Sequence, residues 1–391
     1  MQSNKLRTAI KATTAVVVLG VAGQASAANF SAGEYDMSVY GYARLNASYD
    51  IDEEVGISTR SGAYSAINTT DADEPTGVFG ADAVQTRIGV KTTTPEGVNI
   101  TVEGDFRGGT LRLRHGFGEY NGVLMGQTWS NFNSFVGNTS TLDFDSLPGL
   151  AGLQGRVAQA RYTTGPLSFS LEQPNASLLV NSTTVDDEGN EVPIATDPGK
   201  KDSMPAITAR LEDSAGGFSY SAAVLAHQVG YDTGTLDESA FGFATFGAAK
   251  LALSDMFTIQ GTVSYSDGAN SYLYRSGENF GAASAYVDAS GDVETISGYG
   301  ASVGTGISLG GGRSVNIGYG MATVDWDDAE ADGLNGVGGQ SETNSAVMAN
   351  YQWTPVNNVM MGVEYQLLSR ENVDGSDGDA SRVLFAAQYN F

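Results

Sequence analysis

The chain has 391 residues, and its 45 acidic side chains outnumber 20 basic ones for a net charge of −25, which argues against nucleic-acid binding. The absence of cysteine excludes a disulfide framework. Abundant glycine (51), tyrosine (18) and phenylalanine (16) favour β-structure with tight turns.

The first predicted element is a secretory signal peptide at residues 1–27. It combines a basic start, a short apolar core at 15–22 and an A-x-A cleavage site that ends at Ala27. The apolar core is shorter than the roughly 20 residues that a membrane helix needs. We therefore expect an exported mature chain in which residues 28–391 form one domain, with no plug domain before it.

Sixteen segments with weakly alternating polarity follow, each bounded by turn residues. They are predicted as strands near residues 36–50, 82–94, 97–107, 109–119, 121–130, 155–164, 166–173, 203–212, 217–229, 239–253, 255–266, 294–309, 313–325, 343–353, 357–370 and 380–391. Long and short connections alternate between them, except at the tight Gly108-Gly109 connection. This alternation is typical of outer-membrane barrels, which have short periplasmic turns and longer external loops.

The last segment ends on an aromatic residue, Phe391, which shares one face of the strand with Phe385 and Tyr389. In a soluble sheet this apolar face would be the core, whereas in a barrel it would meet lipid. The signal peptide, the terminal aromatic residue and the loop asymmetry together favour the barrel. We predict an all-β transmembrane antiparallel β-barrel of 16 strands, whose lumen is wide enough for water.

The long connection at 131–154 is the natural constriction loop, because it is unusually apolar for an exposed loop. If it folds inward against the barrel wall, Asp143 and Asp145 reach the pore. The alternative is a loop that packs on top of the barrel or against a neighbouring subunit.

Several arginines fall on the polar faces of their strands in the first half of the chain. A lipid-facing arginine would cost about 2–4 kcal/mol at the membrane midplane, so these side chains are expected to line the pore and to guide anionic, especially carboxylate, solutes. The alternative is structural, because Arg107, Arg112 and Arg114 can pair with acidic residues on adjacent strands. The candidate pore-lining residues are Arg44, Arg87, Arg107, Arg112, Arg114 and Arg161.

Acidic residues concentrate in the long connections, where solvated loop charge explains them. Asp374, Asp377 and Asp379 are spaced only loosely like calcium ligands. His115 alternates with leucines, which predicts the outer face of the barrel. No motif of a hydrolase or metalloprotease is present, so we expect neither enzyme activity nor a cofactor.

Residues 100–175 resemble the DcaP-like porins. The resemblance is carried by Glu103-Gly104-Asp105-Phe106, Leu111-Arg112-Leu113-Arg114-His115, Gly126-Gln127-Thr128-Trp129-Ser130-Asn131-Phe132, Leu142-Asp143-Phe144 and Arg156-Val157-Ala158-Gln159-Ala160-Arg161-Tyr162. It implies a trimeric sixteen-stranded porin with an inward-folded third long loop that takes up small anionic solutes such as dicarboxylates. By position Arg112, Arg114, Arg156 and Arg161 match family arginines, although Arg156 and Arg161 differ in parity on a regular strand. Some members carry a coiled-coil extension, which we do not expect here.

The sequence therefore predicts a passive outer-membrane porin. The expected partners are small anionic solutes, outer-membrane lipid and lipopolysaccharide, and two further copies of the chain in a homotrimer. The alternative is a structural or adhesive barrel whose acidic loops contact a partner.

Overall fold

The computed structural model describes residues 28–70, 73–181, 194–196 and 199–391. The predicted signal peptide and the acidic run at 186–191 lie outside the described residues.

The described chain is built almost entirely from strands. A short helix α1 spans Asp327–Ala331, and three 3-10 turns lie at Tyr64–Ala66, Asn270–Tyr272 and Val337–Gly339. The strands are β1 (Ala28–Ala32), β2 (Tyr35–Asp50), β3 (Val78–Asp82), β4 (Arg87–Thr93), β5 (Asn99–Asp105), β6 (Arg112–Tyr120), β7 (Val123–Trp129), β8 (Arg156–Thr164), β9 (Leu167–Glu172), β10 (Leu178–Asn181), β11 (Ile194–Thr196), β12 (Lys200–Lys201), β13 (Ala206–Ala215), β14 (Phe218–Asp232), β15 (Asp237–Ala252), β16 (Phe257–Asp267), β17 (Ala285–Val287), β18 (Val293–Thr295), β19 (Ser297–Gly310), β20 (Arg313–Asp325), β21 (Ser341–Trp353), β22 (Val359–Asn372) and β23 (Asp377–Asn390).

The strands close into an antiparallel barrel of sixteen, which confirms the predicted fold. Consecutive strands pair around the cylinder, and β2 closes it by pairing with β23 on one side and with β3 and β4 on the other. Strands β3 and β4 are two halves of one barrel strand, interrupted at 83–86. Four short strands, β10, β11, β17 and β18, form a separate small sheet.

Two external connections are shorter than predicted. Strands β14 and β15 extend until only 233–236 separates them, and β22 and β23 extend until only 373–376 remains. The strands are longer because their backbone pairing continues past the residues at which the alternation of polar and apolar side chains ends. The short turns follow ordinary hairpin chemistry: Asn121 and Gly122 both adopt positive φ, as a tight two-residue hairpin requires.

The two faces of the sheet differ as a barrel demands. On β22, the side chains of Val363 and Tyr365 are exposed, whereas those of Glu364 and Gln366 are buried inside the cylinder. Apolar side chains therefore point outward to lipid and polar ones point inward. Among the residues described, no helix is both long and apolar enough to cross a bilayer.

Candidate functional site

A long segment, residues 130–155, lies inside the barrel and is called the inner loop below. The backbone N–H groups of Leu142 and Asp143 donate to the Glu364 carboxylate of β22, with N···O distances of 2.7 and 3.1 Å. On β16, the Thr262 hydroxyl donates to the Gly149 carbonyl at 2.7 Å. Because Glu364 and Thr262 both face inward, the inner loop packs against the wall formed by β15, β16 and β19 to β22.

Glycines allow this close approach. Gly149 has φ +69°, and a Cβ there would collide with backbone atoms of Met321 and Ala301 on the wall. On β20, a Cβ at Gly320 would collide with the Pro148 carbonyl of the inner loop. The wall of β19 and β20 thus lacks side chains where the inner loop touches it.

Apolar packing completes the contact. The Phe132 ring lies 5.0 Å from that of Phe246 on β15 and 6.1 Å from that of Tyr272. These rings belong to one buried cluster that also includes Val136, Ala151, Ala223, Leu225, Ala244, Ala248 and Ala269. The inner loop therefore shares a buried apolar cluster with the inward faces of β14 and β15.

Asp143 and Asp145 are buried within the inner loop's packing, contrary to the prediction that they reach the pore. The Ser61 hydroxyl donates to Asp143 at 2.5 Å, and Gln366 Nε2 donates to it at 3.2 Å. Burial and the neighbouring Asp143 carboxylate raise the pKa of Asp145. The Asp143 carboxylate joins loop segments at the wall, and Asp145 lies buried beside it.

The opposite wall, β4 to β8, carries a set of arginines and is called the arginine wall below. Arg112 donates to both carboxylate oxygens of Asp105, at 2.6 and 3.1 Å. Arg114 donates to Glu103 at 3.0 Å and to Asp105 at 2.8 Å. The Arg112 side chain is 39% exposed and that of Arg114 only 4%. The structural pairing considered for these two arginines is therefore present, and Arg112 still reaches the lumen.

His115 faces inward, so its predicted place on the outer face is wrong. The register of β5 and β6 shifts, with Glu103 opposite His115 but Gly104 opposite Leu113, so Arg114 is the extra residue of a bulge. The extra residue reverses the alternation beyond it. His115 Nδ1 lies 2.9 Å from the Thr128 hydroxyl.

Arg44 and Arg87 meet the inner loop through an aromatic ring. The Arg44 guanidinium lies 4.2 Å from the Phe144 ring centroid and donates to the Leu142 carbonyl at 2.6 Å. The Arg87 guanidinium lies 5.2 Å from both the Phe144 and the Tyr42 rings. In the part of the chain that the structure describes, neither arginine has a carboxylate within ion-pair distance.

The side chains of Arg156 and Arg161 both face inward on this wall, although residues five positions apart lie on opposite faces of a regular strand. Arg156 is the first residue of β8, and its guanidinium lies 4.7 Å from the Trp129 ring, which packs edge-on against Phe135 of the inner loop at 5.1 Å. Arg161 donates to Gln159 Oε1 at 2.8 Å and to the Trp129 carbonyl at 2.5 Å. Parity holds only within a regular strand, so the end of β8 lets Arg156 turn inward. The pore-lining candidates named from the sequence omit Arg156 for this reason.

Arg107 lies outside the strands, in the external connection after β5, and this corrects its predicted position on a strand. Its guanidinium lies 5.7 Å from the Phe280 ring. Its backbone N–H, not its side chain, donates to Asp105. The predicted pairing therefore holds for Arg112 and Arg114 but not for Arg107.

The three aspartates that are spaced loosely like calcium ligands lie in and just after the turn between β22 and β23. Asp374 accepts hydrogen bonds from the backbone and hydroxyl of Ser376, at 2.9 and 2.6 Å, and these bonds lower its pKa. Throughout the described ranges, no three histidine or acidic side chains group as metal ligands would.

Comparisons with known proteins agree with this geometry. A family model described as DcaP outer membrane protein matches residues 21–391. The solved structure of the outer membrane channel DcaP of Acinetobacter baumannii is 28% identical, with a TM-score of 0.76 over 93% of this chain and 100% of that one. No curated protein matches the chain.

More distant solved structures share the fold. An anion-selective porin from Comamonas acidovorans is 11% identical, with a TM-score of 0.52 over 92% of this chain and 100% of that one. OmpT of Vibrio cholerae, in a trimer form, is 13% identical, with a TM-score of 0.54 over the same shares. At these identities the likeness concerns the fold alone.

Proposed function

The chain belongs to the DcaP family of outer-membrane proteins and is a porin-type channel, and from this premise we propose that it passes small hydrophilic anions, carboxylates in particular, by passive diffusion. On this proposal the inner loop narrows the lumen, and solutes pass the arginine wall beside it. Selectivity in a channel depends on the width and the charges of its narrowest part.

One observation carries the proposal: Arg87 and Arg156 lie beside the inner loop without carboxylate partners among the described residues, in a chain of net charge −25. Two acidic residues of the same wall, Glu103 and Asp105, are already paired with Arg112 and Arg114. The uncompensated guanidiniums make the passage locally positive. Their planar fork matches a carboxylate in two hydrogen bonds.

Assembly and surroundings follow from the same family membership. We propose a homotrimer packed through barrel walls, which is supported by the trimer form of the distant OmpT structure. Lipid and lipopolysaccharide would surround the outward apolar face. The acidic external loops would then meet other charged groups of the outer leaflet.

Replacing Arg87 and Arg156 together by glutamine should shift the reversal potential in a salt gradient toward cations. We expect the anion-to-cation permeability ratio to fall about fivefold or more, because the variant removes two positive charges from a narrow passage in which charges are weakly screened. Planar-bilayer recordings of purified protein measure this ratio. Arg60→Gln is the control, since the Arg60 guanidinium already pairs with Asp82 at 3.1 Å.

An unchanged ratio in the double variant would rule out these arginines as the selectivity determinant. Insertion without stable open steps in the unmodified protein would favour a structural or adhesive barrel.

A further inference from the structure

A cavity of about 420 Å³, lined mostly by polar residues, opens at the periplasmic end of the barrel, behind the tip of the inner loop. It lies on the wall formed by β15, β16, β19 and β20, across the barrel from the arginine wall. The side chains that matter to its chemistry are those of Asn138, Ser140, Lys250, Thr258, Gln260 and Asn316. Its volume falls in the range of small-molecule sites.

Lys250 supplies a positive charge to this cavity. It lies directly opposite Gln260 on the neighbouring strand, so the two side chains share the inward face. Within the described ranges, no ion pair or hydrogen bond engages its ammonium group. Two further charges line the rim: Arg313 is the first residue of β20, and Asp255 lies in the turn between β15 and β16. The cavity therefore has a free cation at its inner end.

Two buried carbonyl oxygens in the same cavity lack hydrogen-bond donors. They are Oε1 of Gln260, whose residue is 5% exposed, and Oδ1 of Asn138, whose residue is 9% exposed. A buried acceptor without a donor costs about 1–3 kcal/mol, and rotation of either amide toward the cavity would let a ligand hydroxyl group recover that energy. Gln260 Nε2 reaches only the Thr139 hydroxyl, at 3.5 Å.

A missing side chain keeps the cavity open. Gly306 lies between Thr258 and Asn316 across the two strand pairings, and a Cβ there would come within 2.9 Å of Thr258 Oγ1 and 3.1 Å of Asn316 Oδ1. Beside this gap in the wall lie the Lys250 ammonium group, the two unpaired amide oxygens and the hydroxyl groups of Ser140 and Thr258.

We propose that this cavity is a binding site for small hydroxycarboxylates on the periplasmic side of the inner loop. Lys250 binds the carboxylate, and the carbonyl oxygens of Gln260 and Asn138 accept from the ligand's hydroxyl groups. The site does not depend on the selectivity proposed for the arginine wall, because it uses other residues on the opposite half of the barrel.

Calorimetric titration of the detergent-purified chain with D-glycerate tests the site. Lys250→Met should weaken glycerate binding at least about tenfold, the loss expected for a charge-assisted hydrogen bond. Gln260→Glu keeps the shape of the side chain, places a carboxylate beside Lys250 and should weaken binding similarly. Lys91→Met is the matched control, since Lys91 lies across the barrel over the Tyr40 ring and should leave the affinity unchanged.

Two related probes separate the parts of the recognition. Propanoate lacks the hydroxyl groups and glycerol lacks the charge, so both should bind more weakly than glycerate. Glycerate binding that is equal in the Lys250→Met variant and the unmodified chain would overturn the proposal. So would propanoate binding as tight as that of glycerate.

The double variant Arg87→Gln with Arg156→Gln distinguishes this site from the arginine wall. It should keep its affinity for glycerate even though its ion selectivity changes. Loss of glycerate binding in that variant, with normal binding in Lys250→Met, would assign the binding to the arginine wall and refute the periplasmic site.

Discussion

Replacing Glu364 by alanine is expected to release the inner loop and raise the single-channel conductance. The Glu364 carboxylate is 0% exposed and accepts four hydrogen bonds, from the backbone of Leu142 and Asp143 and from the side chains of Asn350 and Gln366, at 2.7 to 3.1 Å. Its removal leaves buried donors unpaired, which costs about 3–5 kcal/mol. Bilayer recordings should show larger steps, and the thermal midpoint in detergent should fall.

Two variants on the same strand calibrate this result. Glu364→Gln keeps one acceptor oxygen, so its conductance and its thermal midpoint should lie between those of the alanine variant and those of the unmodified chain. Glu371→Ala removes an exposed carboxylate from β22 and should change neither quantity. If Glu364→Ala kept both the original conductance and the original thermal midpoint, the inner loop would not be held by this carboxylate.

Replacing Arg382 by methionine is expected to destabilise the barrel by about 3–5 kcal/mol, because it leaves the buried Asp50 carboxylate without its cationic partner. Arg382 Nε donates to Asp50 Oδ1 at 2.9 Å, and both side chains are almost fully buried. Asp50 also accepts from the backbone N–H groups of Val55 and Gly56, at 3.1 and 2.9 Å, so the pair fixes the start of the first external loop. The free energy of unfolding in detergent measures the loss.

Lys201→Met is the control, since the ion pairs of Lys201 with Asp232 and Asp237 are solvent-exposed and their loss should leave the stability nearly unchanged. Combining Arg382→Met with Asp50→Asn should recover part of the stability, because the uncompensated charge is then gone. Equal stability of Arg382→Met and the unmodified protein would show that the pair contributes nothing.

The strands could be predicted because each carries its own signal. Alternating polarity and turn residues are local, so all sixteen barrel strands were found within a few residues of their observed ends. The inward orientation of Arg112 and Arg161 also follows from local alternation together with the cost of a charge in lipid.

The inner loop's position depends on contacts that no local pattern encodes. The Leu142 N–H group donates a hydrogen bond to Glu364, which is 222 residues away in the sequence. Gly149 contacts the backbone of the wall directly, because nearby wall residues such as Gly320 have no side chain. The burial of Asp143 follows from this distant pairing. For the same reason, its charge could not be distinguished from a pore charge in the sequence.

Errors of orientation have local causes that alternation hides. One extra residue at Arg114 turns His115 from the predicted outer face to the lumen. Arg156 turns inward because it begins its strand and stacks on Trp129. A bulge and a strand end each break the period of two, and neither changes the composition of the segment.

The confinement of the water path to the arginine wall can be tested by thiol accessibility, since the chain has no cysteine of its own. Single cysteines would replace Arg112 on that wall, buried Thr262 beneath the inner loop and exposed Val303 on the lipid face. The membrane-impermeant reagent MTSET, applied during bilayer recording, should change the current in Arg112→Cys but not in Thr262→Cys or Val303→Cys. When Glu364→Ala is combined with Thr262→Cys, the reagent should change the current in that variant too. Reaction of Thr262→Cys as fast as Arg112→Cys in the otherwise unmodified chain would contradict a lumen divided by the inner loop.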